Sequence, residues 1–281
     1  MIPSDPDTPP NGLSEAREAR PFDEGIPLST PEIEIASSGG GGPVAPLPSP
    51  PPEPFWGYAD LLFFIALCFP CLLIAIGVVS KLANFPPFNK PFQQILLLQL
   101  IWYVLIFTAL YGLFRIRYQR PFWRSLGFKA LPLGAAVFSF LGGPVLAAAL
   151  GYLGFVLRTP EIPLPFQQLI SDRTTVLLTG LFVVILGPVC EELAFRGFMM
   201  PLFMRTFGAI GGILFTGCLF GFAHGFEYQW SWRHIVLIST AGCIFGWARY
   251  RTRSTISAAF MHATFNLTQF AAFLAQSRTQ V

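Results

Sequence analysis

Seven long runs of apolar residues dominate the sequence, and few charges interrupt them. They lie at about residues 58–80, 95–114, 131–157, 174–190, 208–225, 234–249 and 255–275. A helix needs about 20 mostly apolar residues to cross the hydrocarbon layer of a bilayer. Charged residues make up 12% of the chain, whereas about 25% is usual for a soluble domain. The pattern therefore predicts an all-α, polytopic membrane helix bundle of about seven transmembrane helices.

The N-terminal segment, 1–57, differs sharply from the rest of the chain. It holds 14 of the 26 prolines, with nine acidic and two basic residues, for a net charge of −7. The remaining residues carry 16 basic and six acidic side chains, for a net charge of +10. A segment with so little apolar surface cannot offset the entropy lost on ordering. We expect a disordered acidic Pro/Gly-rich tail over 1–57 and a membrane-embedded helical domain over 58–281, whose functional core lies at about 174–270.

The distribution of positive charge predicts an orientation. Residues 115–129 carry five basic side chains and no acid, and such links stay on the cytoplasmic side of a membrane. The N-terminus is then cytoplasmic as well. The chain has no basic run with interleaved aromatics of the kind that binds nucleic acid, so the expected partner is membrane lipid and nucleic acid is not expected.

The five cysteines, at positions 68, 71, 190, 218 and 243, all lie inside apolar runs. An odd number in such surroundings does not form a disulfide framework. The C-F-P-C spacing at Cys68 and Cys71 has no second pair that could complete a tetrahedral metal site. We interpret these cysteines as packing residues.

Ionisable side chains within apolar segments are costly and are therefore candidates for function. The first cluster is C-E-E-L-A-F-R-G, which contains Glu191, Glu192 and Arg196. Residues four apart share one face of a helix, so Glu192 and Arg196 can pair while Glu191 points about 100° away. This spacing predicts one neutralised carboxylate and one available carboxylate. The alternative is a helix at the membrane edge whose acids only face water.

The histidines supply the second and third clusters. His224 ends F-G-F-A-H inside the fifth apolar run, and H-A-T-F-N places His262 and Asn266 on one face of the last run. A lone histidine among apolar residues is often only a hydrogen-bonded packing residue, which is the alternative for His224. His234 follows Trp232 and Arg233 at the edge of a run, so we interpret it as an interfacial residue.

Together these side chains could activate water for the hydrolysis of an amide. A carboxylate can accept a proton from water, and burial raises the pKa of such a group toward the working range. Imidazoles can orient the water or bind zinc, and an asparagine amide can donate to a developing oxyanion. One glutamate and two histidines match a three-ligand zinc site, yet no H-E-x-x-H is present. The spacing leaves catalysis with and without a metal open.

The three clusters, in this order and on successive apolar segments, resemble the motifs of the CPBP family of intramembrane proteases, also called the Abi or type II CAAX prenyl endopeptidase family. Its motifs are EExxxR, FxxxH and HxxxN. The resemblance covers residues 188–267, and the three motifs match without departure. The proline-rich tail is not part of the family pattern.

The resemblance implies roles for six catalytic residues, which are Glu191, Glu192, Arg196, His224, His262 and Asn266. Glu191 would be the general base, and His224 would hold the nucleophilic water or a metal. The third motif would supply a further ligand or oxyanion donors, while the second glutamate and the arginine of the first motif would brace the site. If a metal is bound, zinc is expected on Glu191, His224 and His262.

The implied function is that of an intramembrane endopeptidase of the CAAX type. With a bound metal it would be a metalloprotease. Its substrates would be prenylated CaaX-like or other membrane-associated proteins. One alternative is a non-catalytic immunity or scaffold protein that retains the site. Another is a transporter in which glutamate and histidine relay protons, although the chain has no inverted repeat of the kind typical of transporters.

One geometric requirement follows from the order of the motifs. If the helices simply alternate in direction, Glu191 and His224 fall near opposite faces of the membrane, although they must meet in one site. Residues 174–206 are also too long for one helix across about 30 Å of hydrocarbon. We therefore expect the fourth segment to be tilted or broken, at Gly187 and Pro188 or at Gly197 and Pro201.

Overall fold

A computed structural model describes residues 54–86, 88–162 and 173–279. All regular secondary structure within these ranges is helical, which confirms the all-α prediction. The predicted disordered tail lies outside the described residues, except for its end at 54–57.

Among the described residues, three π-helical turns extend α-helices. They lie at Leu113–Arg117, Phe182–Leu186 and Leu193–Met199, and each follows an α-helix without a break. The α-helices are α1 (Tyr58–Leu82), α2 (Pro91–Gly112), α3 (Phe122–Ser125), α4 (Leu133–Val156), α5 (Arg173–Leu181), α6 (Gly187–Glu192), α7 (Met200–Ala223), α8 (Trp232–Thr252) and α9 (Thr255–Thr279). All seven apolar runs are therefore helical.

Four helical stretches of the described residues are long and apolar enough to cross a membrane. They are Tyr58–Leu82, Pro91–Arg117, Leu133–Val156 and Arg173–Ala223, and the last of them contains two of the seven predicted segments. Large apolar side chains on these helices are exposed, including Leu62, Phe69 and Val145, each about two-thirds exposed. An exposed apolar surface of this extent is suited to lipid. By length, composition and surface, the chain is an integral membrane protein.

The last two helices, α8 and α9, are not among these four stretches. Their polar residues pack inward against other helices. His262 and Thr264 of α9 are buried, and Gly242 of α8 accepts a hydrogen bond from a buried arginine. A helix surrounded by protein can carry such groups because its partners satisfy them.

The chain reverses direction within α7, at Gly208. This residue has φ +73°, a value that favours glycine. The rings of Phe203 and Phe215 are 4.6 Å apart between centroids, whereas a straight helix would separate these two positions by about 18 Å. The helical turns continue through Gly187, Pro188, Gly197 and Pro201, so the expected break does not lie at either pair, while the tilt of this segment stays a prediction.

The reversal at Gly208 resolves the problem of depth. Gly208 lies nearly halfway along the chain between Glu191 and His224. At about 1.5 Å of rise per residue, Glu191 and His224 are each about 25 Å from Gly208, measured along the helical segments before and after the reversal. Glu191 and His224 therefore return to a similar depth, although they belong to different apolar runs.

Small residues let the helices around this site approach closely. α7 packs against α8, and α9 packs against α4 and α6. A side chain at Gly217 of α7 would collide with Cys243 of α8, and one at Gly143 of α4 would collide with Thr264 of α9. Glycine at such contacts allows two backbones to meet, as is common between membrane helices.

The residues just before α1 also belong to the helical core. Trp56 is buried, and its indole Nε1 donates a hydrogen bond of 3.1 Å to the carbonyl oxygen of Phe198. Its ring packs against Phe114 and Phe198, with centroid distances of 5.1 and 5.7 Å. This contact anchors the residues that precede α1 to the π-helical turn that contains Arg196.

Candidate active site

The first motif lies where α6 passes into a π-helical turn. Glu191 and Glu192 are the last two residues of α6, and Arg196 lies within the turn Leu193–Met199. Arg196 Nη1 donates a hydrogen bond of 2.9 Å to Glu192 Oε1, and neither side chain is exposed. The ion pair that the spacing predicts is therefore present, fully inside the protein.

Arg196 is held by more than its carboxylate. Its Nη2 donates to the carbonyl oxygen of Gly242 on α8 at 2.7 Å. The guanidinium lies 4.5 Å from the ring centroid of Phe220 and 5.8 Å from that of Phe245. A cation over aromatic faces is stabilised, and the effect grows when the group is desolvated. The arginine thus connects the first motif to α7 and α8.

His262 lies between the two glutamates. Its Nδ1 is 2.9 Å from Glu192 Oε1, and its Nε2 is 4.0 Å from Glu191 Oε2. An ionised carboxylate only accepts hydrogen bonds, so Nδ1 carries the proton. The imidazole stacks on Phe245, with ring centroids 4.6 Å apart. These contacts fix the ring, so that Nε2 faces Glu191.

Glu191 differs from its neighbour in its surroundings. Its side chain is 24% exposed, whereas that of Glu192 is completely buried. Within the described residues, no hydrogen bond or arginine pair holds the Glu191 carboxylate. The distance of 4.0 Å to His262 Nε2 is longer than a hydrogen bond and short enough for a bridging water. Glu191 is the available carboxylate of the pair.

His224 begins the turn that follows α7. Its Nδ1 lies 2.8 Å from the carbonyl oxygen of Phe220, so this nitrogen is the donor and Nε2 is left to accept a hydrogen bond in the neutral ring. Phe220 contacts both imidazoles, with centroid distances of 4.7 Å to His224 and 5.6 Å to His262. One aromatic ring therefore joins the second and third motifs.

Asn266 lies one helical turn after His262 on α9. Its Nδ2 donates a hydrogen bond of 2.8 Å to the carbonyl oxygen of Val183, within the π-helical turn Phe182–Leu186. The hydrogen bond fixes α9 against the helix that carries both glutamates. The asparagine thus positions the third motif, and its second N–H remains for another acceptor.

Glu227 is a polar residue of this region that the sequence analysis did not select. It lies in the loop between α7 and α8, just after His224, and interacts electrostatically with His224 and Glu191. Part of Glu227 is exposed, yet the protein around its carboxyl group desolvates that group and raises its pKa. The charge interaction with His224 lowers the pKa of Glu227, and the interaction with Glu191 raises it further. The signal in the sequence was present, since Glu227 is the one acid that follows Glu192.

Tyr103 is a second residue that the sequence analysis did not select. It is buried on α2, where its ring stacks on Phe182 at a centroid distance of 6.1 Å and its hydroxyl accepts a hydrogen bond from Gln99. Glu191 lies close enough to interact with it electrostatically. An aromatic residue in a long apolar run has no sequence signal that separates it from its neighbours.

No preformed metal cluster is present among the described side chains. Within residues 54–86, 88–162 and 173–279, no group of three or more His, Cys, Asp or Glu side chains is arranged to hold a metal ion. The Nδ1 atoms of His262 and His224 face Glu192 and the carbonyl oxygen of Phe220, which leaves the Nε2 atom of each ring for another contact. Zinc on Glu191, His224 and His262 stays a prediction from the sequence.

Comparison with known proteins supports the family resemblance. Residues 173–268 match the model of the family described as type II CAAX prenyl endopeptidase Rce1-like. The match begins with α5 and contains all three motifs, and it confirms the family resemblance for this segment. Neither the curated proteins nor the solved structures include a significant match to the chain.

Proposed function

Because residues 173–268 match the Rce1-like family, we propose that the protein is an intramembrane endopeptidase of the CAAX type. In this proposal the enzyme hydrolyses a peptide bond with water that is activated by Glu191. The proposed substrates are prenylated CaaX-like proteins or other membrane-associated proteins or peptides. The N-terminus is proposed to be cytoplasmic, on the same side as the basic link at 115–129.

The observation that carries this proposal is the contact of His262 with both glutamates. Its Nδ1 is hydrogen-bonded to the fully buried Glu192, while its Nε2 faces the partly exposed Glu191 at 4.0 Å. A water bound between Nε2 and Glu191 would meet a general base and an orienting imidazole together. A network that served only for packing would gain nothing from a carboxylate that is exposed and has no hydrogen-bond partner among the described residues.

The proposed reaction begins with proton transfer from water to Glu191. The water oxygen then bonds to the carbonyl carbon of the peptide, and the electron pair of the carbonyl bond moves to the oxygen. The free N–H of Asn266, or an N–H of a protonated histidine ring, would stabilise this oxyanion. Glu191 returns the proton to the amide nitrogen as the C–N bond breaks, which releases an amine and a carboxylic acid. The acid then passes its remaining proton to the amine, which leaves a carboxylate and an ammonium group.

The test is cleavage of a farnesylated CaaX peptide by the full chain reconstituted in membranes. Glu191→Gln should lower the cleavage rate at least about 10³-fold, and His224→Ala at least about 10²-fold. His234→Ala serves as the matched control and should keep activity, since its ring stacks on Tyr228 outside the motifs. Equal activity in the wild type and both site variants would contradict the proposal.

Two further arms separate the alternatives. A wild type that folds but cleaves neither prenylated nor unprenylated membrane peptides would favour the non-catalytic scaffold. Cleavage that resists a zinc chelator and is lost in Glu191→Gln would support water activation by glutamate alone. Loss of cleavage on chelation, with recovery on adding zinc, would support the metal-dependent alternative.

A further inference from the structure

A cavity of about 440 Å³ lies at the start of α7 and the end of α8, separate from the motif residues. Its walls combine apolar and basic side chains, including Trp56, Met200, Met204, Arg205, Arg249 and Arg253. None of the six motif residues lines it. The volume is within the range of sites that bind small molecules.

The arginines of the cavity have no acidic partner among the described residues. In the same part of the chain, Asp60 pairs with Arg117 at 3.6 Å and Glu192 pairs with Arg196 at 2.9 Å. Arg205 donates from Nη1 to the carbonyl oxygen of Pro54 at 2.9 Å, which does not neutralise its charge. Among the described residues, the lining of the cavity therefore has a net positive charge.

Arg249 is held in place at the cavity by its packing. Its Nε donates to Thr255 Oγ1 at 3.0 Å, and Thr255 in turn donates to the carbonyl oxygen of Leu126. The guanidinium fills the space where a Cβ at Gly127 would lie. The two terminal nitrogens of Arg249 make no hydrogen bond within the described residues. The side chain is half-buried, so part of it remains accessible. These donors are not satisfied by the described protein, and Arg249 is among the residues that line the cavity.

Arg253 is held at a conformational cost. It follows α8 with φ +55° and ψ +23°, in the left-handed region. Glycine is the usual residue at this position after a helix, because it adopts the conformation without strain. Strain that a sequence retains is a reason to look for a function. Here the retained residue is the third arginine among those that line the cavity.

We propose that this cavity binds the phosphate group of an anionic ligand. The planar guanidinium matches phosphate oxygens with paired hydrogen bonds, and three arginines without an acidic partner in the described chain supply the charge. Trp56, Met200 and Met204 provide an apolar wall for the rest of an amphiphile. A lipid headgroup and free phosphate share this chemistry. The basic residues at the predicted cytoplasmic end are also where anionic lipids act on membrane proteins.

The test measures ligand retention by native mass spectrometry of the full chain in detergent micelles. The probes are phosphatidylglycerol, phosphatidylcholine and inorganic phosphate, each titrated separately. Arg253→Gly and Arg205→Gln should each lower phosphatidylglycerol affinity about tenfold. Arg251→Gln is the matched control: it removes the same charge from α8 at a position outside the cavity, over Trp247, and should bind as the wild type does.

Folding and binding can be separated at Arg253. Arg253→Gly should leave the unfolding temperature unchanged or raise it, because glycine relieves the left-handed strain, while it weakens binding. Preference for phosphatidylglycerol alone would identify a lipid headgroup as the ligand, and equal binding of inorganic phosphate would identify a phosphate site without a lipid requirement. Retention of none of the probes, or an equal loss in Arg251→Gln, would overturn the proposal.

Discussion

The polar side chains of the candidate active site form two groups around the adjacent residues Glu191 and Glu192, and the two groups differ in burial. The closed network comprises Glu192, Arg196 and the Nδ1 side of His262, and its carboxylate and guanidinium are completely buried. The open group comprises Glu191, His224 and Glu227, whose side chains reach the surface or the turn after α7. The two carboxylates are chemically the same, yet one is buried in an ion pair and the other is partly exposed without such a partner among the described residues.

The closed network is suited to positioning. A buried ion pair adds little net stability by itself, but removing one partner leaves a charge without compensation. The network reaches α6, α8 and α9 through short hydrogen bonds. It therefore fixes His262 with Nε2 directed at the open group, where a proton can be exchanged.

The largest effect on stability is expected from Arg196→Met. This change leaves the Glu192 carboxylate buried and unpaired, so the free energy of unfolding should fall by about 3–5 kcal/mol. Unfolding in mixed micelles with increasing SDS measures it. The control is Glu192→Gln combined with Arg196→Met, which removes both charges and should recover at least about half of the loss. A single variant as stable as the wild type would show that the network is not closed.

Two changes at His262 separate its two nitrogens. His262→Asn keeps a donor near the position of Nδ1, so the free energy of unfolding should stay within about 1 kcal/mol of the wild type. His262→Gln keeps a group near Nε2 and loses the bond to Glu192, which should cost about 1–3 kcal/mol. Both variants should cleave peptide about 10²-fold more slowly. If Asn destabilised more than Gln, the assignment of Nδ1 to the closed network would be wrong.

A smaller loss is expected at Asn266. Asn266→Leu leaves the carbonyl oxygen of Val183 without its donor and should lower the free energy of unfolding by about 1–2 kcal/mol. Thr268→Val is the control. Among the described residues the Thr268 hydroxyl donates only to the carbonyl oxygen of Thr264 within α9, so this change should alter stability by about 0.5 kcal/mol or less. Equal effects of the two changes would argue against a special contact between α9 and the π-helical turn.

The smallest effect is expected from Glu227→Gln, and it depends on pH. The pKa of Glu227 is raised above its ordinary value of 4.5, mainly by desolvation. The folded protein then holds this proton more tightly than the unfolded chain, so the wild type loses stability as pH rises from about 4.5 through the raised pKa. The unfolding temperature of Glu227→Gln minus that of the wild type should grow over this interval and then level off. A constant difference would contradict the raised pKa.

The sequence predicted the helices and the residues of the motifs because both depend on local information. Long apolar runs form helices in lipid, and residues four apart share a face, which gave the pair Glu192 and Arg196 in advance. The contact of His262 with both glutamates could not be read from spacing. It depends on how α9 packs against α6, which is far from it along the chain.

The reversal at Gly208 shows why the position of the break was mispredicted. Gly187 with Pro188 was one of two expected breaks, yet proline is tolerated near the start of a helical turn because its missing N–H has no partner there. Gly208 lies among apolar residues, where glycine is also common inside membrane helices. A local rule could not decide between these positions, since the packing of Phe203 against Phe215 requires the whole hairpin.

The most direct test compares Glu191→Gln with Glu192→Gln in the same membranes, with cleavage rate and free energy of unfolding measured on each. The two changes remove the same charge from neighbouring residues. We expect Glu191→Gln to lower cleavage at least about 10³-fold while stability stays within about 1 kcal/mol. We expect Glu192→Gln to lower the free energy of unfolding by about 3 kcal/mol or more. A Glu191→Gln variant that still cleaves, or that loses more stability than Glu192→Gln, would contradict the division of roles between the two glutamates.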